Sequence, residues 1–424
     1  MNLFGQRYDW ARLSGDCFGG TIAALIALPY GLAMAALMGL PPVMGVFSSI
    51  LTAPLTGMLG RNPVLVGGPS SVTVPFLAAA VAQQGQAGAA KVTVIAGIAL
   101  MAFCVIGMGR WIMKVPLPVI SGFSCGIGGM MMISQLKTIL GLAPPAGGWS
   151  ESMAGQFAQA VMSLGQTRFE PLVIAVLVVV VATLVNRRSA RMPAPLLGVG
   201  VACAVSSAMG WTGAEVGALP LGLPKLVGIS WVPADVWQTL PSALGLAFVT
   251  AANLLITSRL VYHFLGDHRR QRRADHDREL GAYGIANVVA GVFGAPLSVG
   301  IPARSLANVR CGGTTPVSNL IHGALLALLL WVGRGWIEHV PLAALAGVTA
   351  WIGAYLLDWS TWRRLPKMRT ADAIAFLATA IGVQFVNPVS AVAFGVLPYV
   401  WPRLRDAAMA SRGFQPAASA KSAG

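Results

Sequence analysis

Long apolar segments alternate with short polar ones along almost the whole chain. Segments 171–185 and 320–332, for example, contain no Asp, Glu, Lys or Arg. A membrane-spanning helix needs about 20 mostly apolar residues, and fewer where the helix is broken, whereas a transmembrane barrel needs strict alternation of polar and apolar residues. The pattern therefore predicts an all-α polytopic membrane protein.

The apolar segments predict about 14 spans, joined mostly by short loops. They lie near residues 16–38, 41–59, 64–84, 91–109, 116–140, 170–186, 194–210, 241–263, 280–294, 302–313, 317–333, 340–357, 371–386 and 388–402.

Basic residues concentrate in the loops that follow even-numbered spans. These residues are Arg61, Arg110, Lys114, Arg187, Arg188, Arg191, the basic run between Arg269 and Arg278, Arg363, Arg364, Lys367 and Arg369. Because Lys and Arg favour cytoplasmic loops, the pattern predicts cytoplasmic termini and an even number of spans. Segment 1–15 has no apolar core of the kind that a cleavable signal peptide requires, so the first span should direct the chain to the cell (inner) membrane.

The composition agrees with a membrane protein and excludes most soluble classes. Of 424 residues, 56% are hydrophobic and only 10% are charged, against roughly a quarter charged in a soluble domain. The formal net charge of +15 does not indicate nucleic-acid binding, because the basic residues lie in short loops. The 5 cysteines show no metal-ligand spacing. No catalytic triad, metal cluster or phosphate loop is recognisable, so we predict neither an enzyme nor a cofactor.

Two spans are interrupted by Gly and Pro at corresponding places. The first interruption is VGGPSSVTVP (66–75) in the third span, and the second is VGIPARSLANV (299–309) in the tenth. Proline fits the first turn of a helix and glycine allows close backbone approach. Each of these spans should therefore be part extended and part helix, with the helices beginning near Pro69 and Pro302.

The spacing of the two interruptions predicts two inverted repeats of about seven spans each, because a shift by an odd number of spans reverses orientation. The first repeat would occupy residues 16–210 and the second residues 241–402, joined by a connecting loop at 211–240. Segments 1–15 and 403–424 would be short cytoplasmic ends, and the Ala- and Ser-rich tail is too short to form a further core.

Inverted half-helices would meet near the middle of the membrane with their N-termini facing each other. Each N-terminus presents unpaired N–H groups and about half a positive charge, and Arg304 adds a full charge to one of them. None of the 14 acidic residues falls in the middle of a predicted span, so a mobile anion is the natural partner of Arg304. The alternative is that the guanidinium reaches the membrane boundary or binds backbone carbonyl groups.

Three segments resemble the sulfate permease (SulP) family of anion transporters. They are residues 16–50 with the GLPP sequence at 39–42, residues 121–142, and residues 278–316 with Glu279, Asn287, Arg304 and Asn308. The resemblance implies a mobile core of spans 1–4 and 8–11 that moves past a gate of spans 5–7 and 12–14, in an elevator-like form of alternating access.

The resemblance also implies which residues bind the substrate. In the family the anion lies between the third and tenth spans and touches the first, which carries over to Tyr30, Met34, Pro69, Ser70, Ser71, Ala303, Arg304 and Ser305. Tyr30 and Met34 stand where the family often has Gln and Phe. The alternative for these two residues is ordinary packing.

Two further departures from the family concern coupling and domain content. Asn253 in the eighth span stands where the family usually has an acidic residue linked to proton or sodium coupling. Because Asn cannot titrate, cation coupling is not expected, and the alternative for Asn253 is a hydrogen bond between helices. The family usually carries a STAS domain after the last span, and we expect this chain to be a membrane domain without one.

These observations predict a secondary transporter of small inorganic anions, such as sulfate, bicarbonate or chloride, that works by exchange or uniport. One alternative is a nucleobase or ascorbate carrier of the same fold, which would use acidic residues in the eighth and tenth spans. Another is a passive anion channel or a membrane scaffold that transports nothing. The expected partners are a small inorganic anion and the lipid bilayer but no nucleic acid, and the resemblance adds a homodimer.

Overall fold

The computed structural model describes residues 2–3, 6–7, 9–112, 116–145, 149–150, 152–189, 192–217, 224, 226–264, 276–385 and 390–399. Several residues used above lie outside this part of the chain: Lys114, Arg191, residues 269–275 of the basic run, and the tail at 403–424. The described residues are largely helical, and the prediction of an all-α membrane protein is confirmed.

The helices are numbered in chain order. They are α1 (Trp10–Leu37), α2 (Pro42–Leu59), α3 (Val74–Ile106), α4 (Gly109–Ile112), α5 (Leu117–Ile139), α6 (Met153–Met162), α7 (Phe169–Arg188), α8 (Ala194–Ala208), α9 (Pro233–Phe264), α10 (His276–Val292), α11 (Pro302–Arg310), α12 (Val317–Val332), α13 (Arg334–Glu338), α14 (Leu342–Leu356), α15 (Trp359–Arg364), α16 (Thr370–Phe385) and α17 (Ser390–Tyr399). Three-residue 3-10 turns occur at Ser71–Thr73, Leu164–Gln166 and Leu365–Lys367. The strands are β1 (Asn2–Leu3), β2 (Gln6–Arg7), β3 (Gly67–Pro69) and β4 (Ser298–Gly300).

Among the described residues, 7 helical segments are long and apolar enough to cross a membrane. Four shorter apolar helices, α8, α12, α16 and α17, accompany them. Every predicted span coincides with all or part of a helix, although α3 contains two of them.

A sharp bend divides α3 into the third and fourth predicted spans. Gln84 and Gly85 have non-helical backbone angles, and Gly85 has a φ of 61°. This left-handed conformation is accessible to glycine but costly for other residues. Gly85 therefore allows the half-helix that begins after β3 to end and the next span to begin without a loop.

The helices pack in two groups. In the first, α1 contacts α2 and α12, and α3 lies along α9 and α10. In the second, α5 contacts α14 and α16, and α7 contacts α8 and α14. A Cβ atom on Gly45 of α2 would lie 2.0 Å from the carbonyl oxygen of Gly31 on α1, so small residues permit this backbone contact. The two groups match the core and gate that the family resemblance implies, and the inverted repeats themselves stay a prediction.

Strands β3 and β4 connect the two interrupted spans. They pair antiparallel, with Gly68 opposite Val299 and Pro69 opposite Ser298. Helix α11 begins at Pro302, as predicted. On the other side a 3-10 turn begins at Ser71, two residues after Pro69, and α3 begins at Val74. The predicted extended-then-helical geometry is present, and the strand pairing brings the two helix starts side by side.

Candidate substrate site

The two helix starts leave backbone N–H groups without intrahelical acceptors. In α11 the first helical hydrogen bond runs from the Ser305 N–H to the Ile301 carbonyl at 3.0 Å, and Pro302 has no N–H. The N–H groups of Ala303 and Arg304 therefore precede the ladder. In the opposite turn, the Thr73 N–H donates to the Ser70 carbonyl at 3.1 Å, so the N–H groups of Ser71 and Val72 precede it in the same way.

The Arg304 side chain lies beneath the paired strands and is fully buried. Its Nη1 donates to Ser49 Oγ at 3.0 Å, and its Nη2 donates to the Ala27 carbonyl at 3.4 Å. The guanidinium carbon also lies 4.7 Å from the centre of the Tyr30 ring, within the range of a cation–π interaction. Among the described residues no carboxylate forms an ion pair with Arg304.

The sequence left two kinds of partner for Arg304, a mobile anion or backbone carbonyl groups, and the contacts agree in part with each. The backbone-carbonyl alternative is present in part, because Ala27 accepts one hydrogen bond. All the contacts are with neutral groups, however, so none of them cancels the positive charge. The Nε atom is buried and has no hydrogen-bond partner within the described residues.

Gly68 explains how the guanidinium fits under the strands. A Cβ atom at this position would lie 2.3 Å from Arg304 Nη1 and 2.5 Å from Ser49 Oγ. Both distances are far below a normal contact, so a larger residue here would force the Arg304 or Ser49 side chain to shift. The glycine in the first interrupted span therefore leaves room for the arginine side chain of the second.

Ser305 links the two strand segments. Its hydroxyl donates to the Ile301 carbonyl at 2.8 Å and accepts from the Val66 N–H at 2.9 Å, and the residue is fully buried. Asn287 supports β4 in the same manner, because its side chain bonds the carbonyl and the N–H of Ser298 at 2.8 and 2.7 Å. The structure thus gives the Ser305 hydroxyl a bracing position between the two strands.

The other predicted residues surround the helix starts. Tyr30 is 8% exposed, its hydroxyl lies beside Ser70 and Ser71, and each of these serines is 5% exposed. Met34, one turn further along α1, is fully buried. Ala303 is exposed at the open end of α11. Sequence reasoning missed Ser49, which carries the principal hydrogen bond to Arg304 and has no motif that marks it.

A cavity of about 210 Å³ lies at the two helix starts, between the two groups of helices. It includes Val72 and Pro302, the neighbours of Ser71 and Ala303 in sequence. Its polar groups come from Ser124 on α5 and from Asn253 and Thr257 on α9, and no carboxylate lines it. Thr257 Oγ1 donates to Asn253 Oδ1 at 3.3 Å. The structure therefore places Asn253 within reach of the open end of α11.

The deeply buried carboxylates lie elsewhere and hold loops. Asp16 at the start of α1 accepts from the N–H groups of Thr314 and Thr315 at 2.7 and 3.1 Å. Glu279 in α10 accepts from the N–H groups of Arg61 and Asn62 at 2.8 and 3.0 Å. Both carboxylates therefore fix loops at the ends of spans, away from the guanidinium.

Comparison with known proteins gives a consistent result. A family model described as the sulfate permease family matches residues 13–379. The putative sulfate transporter YvdB of Bacillus subtilis is 25% identical over 395 residues, 92% of this chain and 73% of that protein. The bicarbonate transporter BicA of Picosynechococcus is 26% identical, over 92% of this chain and 70% of its own length. The probable sulfate transporter Rv1739c of Mycobacterium tuberculosis is 30% identical, over 92% and 71%.

Solved structures share the fold. The transmembrane domain of a cyanobacterial bicarbonate transporter BicA superposes with a TM-score of 0.79 at 26% identity, covering 92% of this chain and 98% of that one. The structure of SLC26A9 has a TM-score of 0.80 at 22% identity, covering 92% and 66%. The latter likeness concerns the fold alone.

Proposed function

The chain belongs to the sulfate permease family, and from this membership we propose that it is a secondary transporter of small inorganic anions. Sulfate, bicarbonate and chloride form the proposed substrate class, and two of these anions occur in the names of the relatives. The observation that carries the proposal is the fully buried Arg304, which lies at the start of α11 without a carboxylate partner among the described residues.

An uncompensated arginine in the membrane costs free energy, about 2.5 to 3.5 kcal/mol at mid-helix by insertion scales. Two helix starts add partial positive charge at the same place. A bound anion would offset the arginine charge and the partial charges of both helix starts. Since the cavity at the helix starts has no carboxylate in its lining, it favours an anionic substrate over a cation or a neutral ring.

The proposed contacts divide between backbone and side chains. The N–H groups of Val72, Ala303 and Arg304, which precede the helical ladders, would replace part of the anion's hydration shell, whereas the Ser71 N–H already bonds the Tyr30 hydroxyl. The hydroxyls of Ser70, Ser71 and Tyr30 would adapt to its shape. Met34 and Pro69 would form the apolar wall of the anion site. The charge of Arg304, beneath the strands, would make the electrostatic potential at the site positive. We assign Ser305 a supporting role rather than direct contact.

Coupling to a cation is not part of the proposal. The position where the family usually carries an acidic residue is Asn253, which borders the cavity and is neutral. Without a titrating or anionic group there, exchange of anions or uniport is the favoured mode. Flux of the wild type should therefore respond to a counter-anion and be independent of sodium and of an imposed proton gradient.

For movement we propose an elevator-like step in which the first group of helices slides past the second. The cavity lies between the two groups, and α5 of the second group contacts the Ser71–Thr73 turn. A relative shift would carry both helix starts together, because β3 and β4 join them. Inverted repeats at 16–210 and 241–402, cytoplasmic termini, an inner-membrane location and a homodimer complete the proposal.

Uptake of labelled sulfate and bicarbonate into proteoliposomes tests the function. Wild type should show flux that an opposing anion gradient stimulates. Arg304→Ala should lose it, whereas Arg310→Ala, an exposed arginine on the same helix, should retain it. Uptake of a nucleobase in place of the anions, or conductance far above carrier rates, would overturn the proposal in favour of a different transport class.

A further inference from the structure

A second, larger cavity opens among helices of the second group. We call it the gate cleft. It has a volume of about 810 Å³ and lies where α5 begins and where α7 and α14 end. The residues of its wall used below are Ser121, Val179, Arg187, Trp351, Tyr355 and Trp359. These helix ends all face the loops that carry most of the basic residues, which is the predicted cytoplasmic side.

The aromatic side chains of the gate cleft indicate a membrane boundary. Tyr355 is 77% exposed and Trp359 is 60% exposed, although both are large and apolar. Tyr and Trp concentrate at the level of lipid headgroups, where the ring is apolar and the polar atom remains hydrated. Deeper in the cleft, Val179 and Trp351 provide apolar surface. The cleft therefore runs from the headgroup level toward the acyl chains.

The charge at the mouth of the cleft is positive. Arg187 lines it, and the chain segments that adjoin the lining, the last turn of α7 and the segment around α15, carry further exposed basic residues: Arg188, Arg363, Arg364 and Lys367. The carboxylate in the lining is Asp358, which accepts hydrogen bonds from Ser121 Oγ at 3.2 Å, from Ser360 Oγ at 2.7 Å and from Thr361. The lining therefore combines Arg187 with one carboxylate that hydroxyl groups already hold, and the other basic residues lie in the adjoining segments.

We propose that the gate cleft binds one anionic phospholipid from the cytoplasmic leaflet. Its phosphate would lie at Arg187, its glycerol region beside Tyr355 and Trp359, and an acyl chain along Val179 and Trp351. Basic pockets between membrane helices on the cytoplasmic side suit anionic headgroups. The alternation of charge, aromatic belt and apolar depth matches the three parts of such a lipid.

The position of the cleft connects it to transport. Ile120 and Ser124 of α5 line both the gate cleft and the cavity at the helix starts. A lipid in the cleft would thus support the rear of the helix that forms one wall of the substrate cavity. The effect of the lipid on transport rests on the proposed function, whereas lipid binding itself does not.

Native mass spectrometry of the purified full chain in detergent tests the binding. The probes are phosphatidylglycerol and phosphatidylcholine with identical acyl chains. Wild type should retain phosphatidylglycerol preferentially.

Arg187→Gln should weaken that binding about fivefold, the ratio that corresponds to about 1 kcal/mol. Ala354→Phe, which fills the cleft without changing charge, should weaken it at least as much. Arg61→Gln, the same change at an exposed arginine outside the cleft, should stay within twofold of wild type.

The proposal would be overturned by equal binding of the two lipids by wild type, by no effect of Arg187→Gln, or by no effect of Ala354→Phe. Binding of free glycerol phosphate as tight as that of the lipid would also overturn it, because the acyl chain would then contribute nothing. Flux in phosphatidylglycerol and phosphatidylcholine liposomes provides a separate readout. If no anion moves in either lipid while selective binding persists, the proposed transport fails and the lipid site stands.

Discussion

The two halves of the candidate site have the same backbone plan but different side chains. The half at β4 and α11 carries the charge of Arg304 and is braced by Asn287 and Ser305. The half at β3 carries two glycines and two serines and no charge. The first half is therefore a rigid, positively charged platform. The second approaches it closely and carries its hydroxyls next in sequence to Val72, which lines the cavity, so we expect a division between electrostatic attraction and recognition of shape.

Among variants that keep Arg304, the largest effect should come from adding bulk where the halves cross. Gly68→Ala places a Cβ atom 2.3 Å from Arg304 Nη1, so the guanidinium or the strand must move. Overpacking of this kind costs about 1 to 3 kcal/mol. We expect anion uptake into proteoliposomes to fall by about thirtyfold or more, whereas Gly200→Ala, which meets open space, should leave uptake unchanged. Normal uptake by Gly68→Ala would show that the guanidinium position is unimportant.

The braced half should be the more sensitive to loss of a single side chain. Asn287→Ala leaves the buried N–H and carbonyl of Ser298 without their side-chain partner, and each unsatisfied group costs about 1 to 3 kcal/mol. We expect a clear fall in the thermal unfolding temperature of the purified protein. Asn186→Ala, the same change at an exposed asparagine, is the control. Equal unfolding temperatures for the two variants would contradict the bracing role.

The serines of the two halves should separate binding from stability. Ser71→Ala removes a hydroxyl beside the cavity, and a hydrogen bond to a charged group is worth about 1.5 to 3 kcal/mol. We expect the KM for the anion to rise about tenfold with little change in unfolding temperature. Ser305→Ala should do the reverse, lowering stability with a smaller change in KM. If both variants change only KM, Ser305 contacts the substrate after all.

The smallest effect is expected at Asn253. Its side chain borders the cavity with one hydrogen bond from Thr257, and it holds no charge. Asn253→Ala should change anion flux by less than about twofold, because exposed or weakly bonded polar groups contribute little. Flux measured with and without sodium and with imposed proton gradients should be equal. A strong dependence on either cation in the wild type would require a coupling site outside the cavity.

The sequence predicts the local geometry of the site better than its side-chain directions. Proline at the first turn is a local signal, and α11 does begin at Pro302. The pairing of β3 with β4 joins segments that are far apart in the chain, and three-residue strands carry too little periodicity to predict their partners. The inward direction of Ser305 and the contact with Ser49 depend on which face of a short helix meets α2. Local composition does not determine that face.

The same distinction holds for the fold. Apolar length and the distribution of basic residues predict the helices, because each span satisfies its own backbone in the membrane. The predicted break between the spans at 64–84 and 91–109 coincides with the bend at Gly85. Hydropathy does not show that the two spans follow each other without a loop, since that depends on the backbone angles of the glycine. Grouping of the helices depends on contacts between distant segments. The family resemblance, rather than hydropathy, provided it.

Equilibrium binding of the transported anion to purified protein tests the central claim most directly, since it separates binding from turnover. Wild type, Arg304→Lys, Arg304→Ala and Arg310→Ala should be compared by a scintillation proximity assay at constant ionic strength. We expect Arg304→Ala to lose at least about tenfold in affinity, equivalent to about 1.4 kcal/mol, Arg304→Lys to lose less, and Arg310→Ala to match wild type. If folded Arg304→Ala binds the anion as tightly as wild type, the buried arginine is structural and the two helix starts do not form the anion site proposed.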